Sequence, residues 1–186
     1  MQTHWFNGLA LCGEWLPFLD GNENRWFSLL LRPVRAGAEL TRGQLSDGMR
    51  GLLAAVRDAG ASGMVASMGL IESLLLSTYV SVALMDVKPS VGALIRNPWF
   101  VLTQAPFAAR KARALVERLR AKALAKDHHG MLNMVDLCDA RLRAQQGKPG
   151  QARECLDRIE SRLREAGIDH VPAALQKAAA EIEASR

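Results

Sequence analysis

Aromatic residues are scarce in this sequence, and the β-branched runs that mark strands are nearly absent. Phe, Trp and Tyr together make up 5% of the 186 residues, whereas Ala, Leu and Arg dominate. Unbranched side chains lose little rotamer freedom in a helix, so this composition favours helices over sheets. We therefore predict an all-α protein of antiparallel helical hairpins, arranged as an α-solenoid or as a compact helical bundle.

Only three cysteines occur, Cys12, Cys138 and Cys155, and no two of them form a CxxC pair. An odd count argues against a disulfide framework and indicates a reducing compartment, where these side chains serve as small buried hydrophobes. The N-terminus has no Lys or Arg before its apolar stretch, so it lacks the basic start of a secretory signal. The predicted location is therefore cytoplasmic.

Motifs that indicate catalysis are also missing. There is no glycine-rich phosphate loop, no HExxH and no GxSxG. Asp127, His128 and His129 have metal-ligand chemistry, but neighbouring helical residues point about 100° apart, which favours a solvated helix start. Glu72, near the middle of a long apolar segment, is the sole candidate for a functional carboxylate, but a buried hydrogen bond to a serine or a pairing with an arginine from a neighbouring helix is the favoured explanation. We predict no enzymatic activity, no metal and no cofactor.

Positive charge is concentrated in one segment. The net charge is +5, yet residues 1–105 carry eight basic and eight acidic side chains, and residues 127–186 carry nine and ten. The excess lies in residues 106–126, where Glu117 is the only acid. The basic residues of this segment are Arg110, Lys111, Arg113, Arg118, Arg120, Lys122 and Lys126.

The same segment is predicted to be a helix over residues 107–124. Arg118, Lys111 and Lys122 lie along one border of its apolar face, and Arg113 and Arg120 lie along the other. Two explanations remain open. The long stems can cover the edges of a core contact while their charges stay in water. Alternatively, the helix presents its charge to an anionic surface.

Turn residues divide the predicted single domain, residues 1–186, into three parts. Residues 1–60 form N-terminal helical hairpins that begin with a helix at 4–19. Residues 61–126 form a central apolar helix and the basic helix, and residues 127–186 form a hairpin with a C-terminal capping helix. Prolines at 89, 98 and 106 predict only short helices between the two central ones, because the residue before a proline is disfavoured in helical geometry.

Three features of the first part carry specific expectations. Pro33 should end or kink the second apolar helix, because it lacks an amide hydrogen and crowds the preceding turn. The next helix, Leu45–Ala59, should be capped by the side chain of Ser46 or Asp47. Gly60 should stop it.

Residues 63–87 form a long apolar stretch that could span a bilayer by length alone. Glu72 lies near its middle, where an unpaired carboxylate is costly in a membrane, and several serines dilute it further. A buried central helix of a helical bundle is therefore favoured. A membrane span or re-entrant segment and a helix–helix association surface are the alternatives.

The clearest pattern is a pair of helices within residues 127–167, joined by the turn GKPG at 147–150. Gly at the stop of one helix and Pro near the start of the next are typical of such a connection. A loop this short joins antiparallel neighbours. The first helix is predicted to bury Met131, Met134, Val135, Cys138 and Leu142.

The turn and second helix of this pair resemble a tetratricopeptide repeat. Ala152 follows Gly147 after four residues and Leu156 follows after three more, so a small residue at the helix crossing precedes a large apolar one. Ala140 stands where the repeat's first helix has glycine or alanine. The resemblance implies a protein–protein or regulatory scaffold without catalysis, similar to the TPR-like modules attached to bacterial regulators.

Asp136 and Asp139 depart from the repeat, which has Trp- or Leu-type residues at these positions. Either their carboxylates face solvent in a shifted register, or they line the concave surface where partners bind. The predicted binding surface is the junction between residues 107–126 and the hairpin. Its candidate residues are Arg110, Lys111, Arg113, Arg118, Arg120, Lys122, Asp136 and Asp139.

The predicted function is a non-enzymatic helical-repeat scaffold that binds a protein partner. The alternative is a membrane-associated helical protein that uses residues 63–87 and the basic helix. Nucleic-acid binding is disfavoured, because aromatic residues do not alternate with the basic ones and no helix-turn-helix is recognisable. No oligomeric state is predicted.

Overall fold

The computed structural model describes residues 25–63, 65–86, 89–168 and 172–184. Regular structure in these ranges is helical, without a strand, so the predicted all-α class is confirmed. The predicted helix at 4–19 lies outside the described residues. In chain order the helices are α1 Arg25–Thr41, α2 Leu45–Ala61, α3 Val65–Ala83, α4 Val91–Arg96, α5 Pro98–Thr103, α6 Ala108–Ala125, α7 His129–Gln145, α8 Pro149–Glu165 and α9 Ala173–Ala184, with a 3-10 turn at Ala105–Phe107.

The chain divides into two compact units, where the sequence predicted one domain. The first unit holds the described residues of Met1–Leu75 and Lys88–Pro106, and the second holds those of Leu76–Val87 and Phe107–Arg186. The division falls within α3 and again just before α6. The predicted parts ended at 60 and 126 instead, since local sequence does not reveal that the basic helix packs against α7 within the second unit.

The long helices end in the same kind of turn. After α1, α3, α6, α7 and α8 the second residue beyond the helix has a positive φ, and the amide that follows it bonds back across the last turn. Lys148, for example, donates to the carbonyl of Arg143 at 3.0 Å, and Ile168 donates to that of Leu163 at 2.9 Å. This pattern is the Schellman motif, which satisfies carbonyls at a helix end. After α2 the second residue, Gly63, also has a positive φ. The residues with positive φ are Gly43, Gly63, Met85, Asp127, Gly147 and Gly167.

Equal turns and nearly equal helices give a regular spacing along the chain. Gly43 and Gly63, the residues of positive φ that follow α1 and α2, are 20 residues apart. α7 and α8 begin at 129 and 149, again 20 residues apart. Each period consists of one helix and its closing turn. The short turns place successive helices antiparallel and side by side in a hairpin.

The first unit contains the α1–α2 hairpin, in which the two backbones approach closely. A Cβ added at Gly48 would lie 2.6 Å from the carbonyl oxygen of Ala36 and 2.7 Å from Cγ of Leu40. Arg32 of α1 donates to Asp58 of α2 at 2.7 Å. These pairs run in opposite directions along the two helices, so the hairpin is antiparallel.

One local expectation for this hairpin is narrowed and another is corrected. Of the two alternatives for Pro33, the end of the helix is excluded, because α1 continues to Thr41. Pro33 is buried, and packing outweighs its poor helix propensity. α2 likewise continues through Gly60 to Ala61, because the left-handed residue that closes it is Gly63.

Asn97, between α4 and α5, caps the start of α2. Its Oδ1 accepts a hydrogen bond from the amide of Ser46 at 2.8 Å. Its Nδ2 donates to the carbonyls of Gly43 at 2.8 Å and Ala93 at 2.6 Å. The predicted capping by Ser46 or Asp47 is wrong, because a side chain 51 residues away satisfies this helix end. α4 and α5 are short, as the prolines predict.

α3 is the apolar helix predicted within residues 63–87. Ile71, Glu72, Ser73 and Leu76 are buried, whereas Leu70 and Leu74 are exposed, so the helix is buried on one side only. Within the described ranges, no helix combines the length and apolarity needed to cross a membrane.

In the second unit α7, α8 and α9 share one core. Ala140 and Ala152 are completely buried in it, together with Leu156. Burial of one leucine side chain contributes about 1.5–3 kcal/mol. The remaining buried members are Cys155, Ile159, Leu175, Ala178 and Ile182.

The buried face of α7 is wider than predicted. Val135, Cys138 and Leu142 are buried as expected, but Met131 and Met134 are only partly buried. α6, α8 and α9 all contact α7, so residues on more than one stripe of the helix become inaccessible. Two of these additional residues are aspartates.

Candidate functional site

The predicted binding residues on α6 have different surroundings. Arg110, Arg113 and Arg118 are exposed, whereas Lys111 and Lys122 are half-buried. Arg120, the remaining predicted residue of α6, forms an ion network with Asp136 and Asp139.

Lys111 lies against an aromatic ring. Its Nζ is 5.5 Å from the ring centroid of Tyr79, a cation–π contact within the second unit. Partial burial lowers the pKa of Lys111, and burial raises the pKa of Tyr79. For this residue the contact agrees with the explanation in which a long stem covers the edge of the core.

Arg120 reaches from α6 to α7. Its Nη2 donates to Asp136 Oδ1 and to Asp139 Oδ2, both at 2.8 Å. The side chains of Asp136 and Asp139 are only 2% and 9% exposed. The alternative in which these carboxylates face solvent is therefore wrong, and the residues are buried because they are paired.

Further arginines surround the two aspartates. Arg158 Nη2 donates to Asp136 Oδ1 at 3.1 Å, and Arg162 Nη2 donates to Asp136 Oδ2. Arg143 Nε donates to Asp139 Oδ1 at 3.0 Å. The arginine cluster, as we name this group, comprises Arg120, Arg143, Arg158 and Arg162.

Neighbouring side chains fix two of these arginines and a thiol. Arg162 Nε donates to Asn133 Oδ1 at 2.7 Å, and Arg158 Nη2 lies 3.1 Å from Cys155 Sγ. The thiol in turn donates to Asp139 Oδ2 at 3.7 Å. Burial raises the pKa of Cys155, so this thiol stays protonated at neutral pH.

The electrostatics of the two carboxyl groups are dominated by the arginines. Burial alone would raise the pKa of Asp136, but hydrogen bonds from Arg158, Arg162 and Arg120 outweigh it and hold the pKa below its ordinary value of 3.8. The pKa of Asp139 is lowered in the same way, with burial opposed by bonds from Arg120 and Arg143. Both groups are therefore charged at neutral pH.

The arginine cluster is not neutralised by its two carboxylates. Four guanidinium groups face two carboxylates, which leaves two positive charges in excess (4 − 2). The side chains of Arg143 and Arg158 are 35% and 46% exposed, in contrast to the buried aspartates. Positive charge is thus held at the surface by negative charge beneath it.

Sequence reasoning identified only part of this site. It found Arg120, Asp136 and Asp139 but missed the arginines of α7 and α8. A signal was present, because Arg158 and Arg162 are four residues apart and share one face of α8. Which face this is depends on how α8 packs, and the sequence does not contain that information directly.

His128 caps the start of α7, and His129 lies at the surface beside it. Nδ1 of His128 accepts a hydrogen bond from the amide of Met131 at 3.2 Å and so caps the helix. His129 lies 3.4 Å from exposed Asp127. Among the described residues, no group of three or more His, Cys, Asp and Glu side chains could hold a metal ion.

Comparison with known proteins adds no assignment to this geometry. No protein family, no curated protein and no solved structure matches the chain. Functional inference therefore rests on the arrangement of the residues themselves.

Proposed function

We propose that the protein is a non-enzymatic, TPR-like helical-repeat scaffold that binds a protein partner and serves a regulatory role in the cytoplasm. The observation that carries the proposal is the recurrence, in two stretches, of a helix closed by a residue of positive φ at 20-residue intervals: Gly43 and Gly63, then Asp127, Gly147 and Gly167. Repetition of one helix-and-turn unit is typical of proteins that present extended surfaces to partners.

The surface proposed for the partner is the arginine cluster. Its side chains come from α6, α7 and α8, so the surface depends on the packing of three successive helices. Arginine is enriched at protein interfaces, where its planar guanidinium makes several directional bonds.

Affinity capture tests the proposal. The full chain is immobilised and exposed to a native lysate, alongside its Arg158→Gln and Arg153→Gln variants. Arg153 lies on the same helix but pairs with Asp157 and Glu160 outside the arginine cluster. We expect one protein to be retained by the wild type and by Arg153→Gln in near-stoichiometric amount, and less of it by Arg158→Gln. Absence of any stoichiometric partner would count against a scaffold.

A second candidate, membrane-surface association, is favoured by an apolar surface in the first unit. Val91, Ile95 and Leu102 of α4 and α5 are 73%, 73% and 71% exposed. Residues 87–116 contain no acid, which suits an anionic lipid surface. Sedimentation with anionic vesicles tests this candidate. If the protein binds membranes through this surface, Ile95→Asp should reduce binding to the vesicles. The control Leu70→Asp, at an exposed position of α3, should leave binding unchanged.

A further inference from the structure

The arginine cluster retains donors for an additional ligand. Arg158 Nη1, Arg162 Nη1 and Arg143 Nη2 make no hydrogen bond within the part of the chain that the structure describes. A guanidinium has five N–H donors in a planar fork that matches a carboxylate or a phosphate. Unused donors and an excess of two positive charges together favour an anionic ligand.

The buried aspartates hold these donors in place before any ligand binds. Asp136 receives bonds from three arginines and Asp139 from two. A free arginine side chain loses rotamer entropy when it binds a ligand, which weakens the binding. That cost is already met on folding here, because the carboxylates beneath fix the guanidinium planes.

The surroundings of the cluster favour a protein carboxylate over a nucleic-acid backbone. α8 has four arginines and four acids, so a continuous line of phosphates would meet repulsion along it. On α6, Glu117, Arg120 and Leu124 follow one another at one-turn intervals, and Leu124 is 63% exposed. A partner segment with single carboxylates next to apolar side chains would complement this combination of arginines and an exposed leucine.

We infer that the arginine cluster binds aspartate or glutamate carboxylates in an acidic segment of the partner protein, with a leucine-type side chain of that segment against Leu124. This inference rests on the proposed scaffold function and specifies the chemistry of its partner. Charge attraction draws the segment in, and the prearranged guanidinium forks set its position.

Fluorescence anisotropy with labelled peptides tests the inference on the full chain. The first probe is a short peptide of alternating leucine and glutamate. In the second probe, glutamine replaces every glutamate. In the third probe, phosphoserine replaces every glutamate. The fourth probe is single-stranded DNA of similar length. We expect the glutamate peptide to bind and the glutamine peptide not to bind. Affinity should fall as salt is added, because the interaction is between exposed charges.

Variants localise the binding. Arg158→Gln should weaken the glutamate peptide about tenfold, the loss expected for one charge-assisted hydrogen bond. Arg158→Lys should recover only part of this loss, because it restores the charge without the fork. Arg153→Gln changes net charge equally and should bind as the wild type does. Circular dichroism and thermal unfolding of each variant confirm that the fold is retained.

Other results would overturn the inference. Equal losses in Arg153→Gln and Arg158→Gln would mean that only net charge matters, and failure of the glutamate peptide to bind would exclude the carboxylate. Tighter binding of phosphoserine peptide or of DNA would assign the cluster to phosphates instead. If a lysate partner is captured equally well by Arg158→Gln, the scaffold function stands and the carboxylate site is wrong. If no partner is captured at all, the scaffold function itself fails.

Discussion

Arg120 Nη2 donates to Asp136 Oδ1 across 2.8 Å and so joins α6 to α7. Asp136→Asn preserves the shape of the side chain but removes the charge that holds three arginines. We expect the free energy of unfolding to fall by about 2–4 kcal/mol, because buried charge-assisted bonds are lost and the guanidinium groups repel one another. Urea denaturation followed by circular dichroism measures this change.

Asp157→Asn provides the matched control for that substitution. Its side chain is 56% exposed and pairs with Arg153 on the surface of α8. We expect a change within about 0.5 kcal/mol, since exposed ion pairs contribute little. Similar losses in the two variants would show that the buried position of Asp136 has no special importance.

Acid pH should destabilise the second unit through the same carboxylates. The pKa values of Asp136 and Asp139 are lower in the folded protein than their ordinary value of 3.8. The folded state therefore binds fewer protons than the unfolded state, and stability falls as the pH drops below that value towards the folded-state pKa.

Thermal unfolding measured between neutral and acid pH tests this dependence. The double variant Asp136→Asn with Asp139→Asn lacks both titrating groups, so its stability should fall less steeply with acid. Guanidinium groups stay charged throughout this range. A wild type and a double variant with parallel pH profiles would contradict the assignment.

Asn97→Ala should weaken the start of α2. The substitution removes the acceptor for the amide of Ser46 and the donors to the carbonyls of Gly43 and Ala93. We expect the free energy of unfolding to fall by about 2 kcal/mol, since a cap and two further hydrogen bonds disappear together. Hydrogen exchange at the Ser46 amide should become faster as this helix end opens.

Asn97→Asp separates the two contributions. It keeps an oxygen acceptor for Ser46 but removes both donated bonds, so exchange at the Ser46 amide should stay closer to that of the wild type. If Asn97→Ala lowers the stability but does not speed hydrogen exchange at the Ser46 amide, Asn97 does not stabilise the protein by capping α2.

Two glycines of α2 should respond to alanine with opposite signs. At Gly48 an added Cβ would lie 2.6 Å from a backbone oxygen of α1, so Gly48→Ala should cost about 1–3 kcal/mol. Nothing lies within 4 Å of a Cβ at Gly60, so Gly60→Ala should stabilise the protein by about 0.5–1 kcal/mol. Thermal unfolding of both variants measures the pair, and two changes of the same sign would contradict the close α1–α2 contact.

Local patterns predicted much of the helical architecture. The basic helix was predicted at residues 107–124 and is Ala108–Ala125. The turn between α7 and α8 was predicted from Gly147 and Pro149, and Gly147 has the positive φ that this turn requires. Such features depend on residues within one or two helical turns, so composition and periodicity are enough to reveal them.

The sequence-based predictions were insufficient where residues distant in the chain, rather than neighbouring ones, determine the local structure. The side chains of Ser46 and Asp47 can act as helix caps, but the side chain of Asn97, from another part of the first unit, caps α2 instead. Pro33 left open whether α1 ends or continues, and packing keeps the helix continuous to Thr41. Propensity is a small energy per residue, and tertiary contacts overcome it.

By itself the sequence determined the all-α class, the extent of the basic helix and the C-terminal hairpin, since these follow from local conformational preference and apolar spacing. Only the tertiary structure decided whether the side chains of Asp136 and Asp139 are buried or exposed. They stood at apolar positions of a helix, and the sequence allowed them to face solvent or a partner. They are instead buried beneath the arginine cluster, because α6 and α8 bring guanidinium groups from 16 and 22 residues away to the same carboxylate. Ion pairs with these arginines offset the cost of removing the two carboxylates from water, which would otherwise keep both aspartates at the surface.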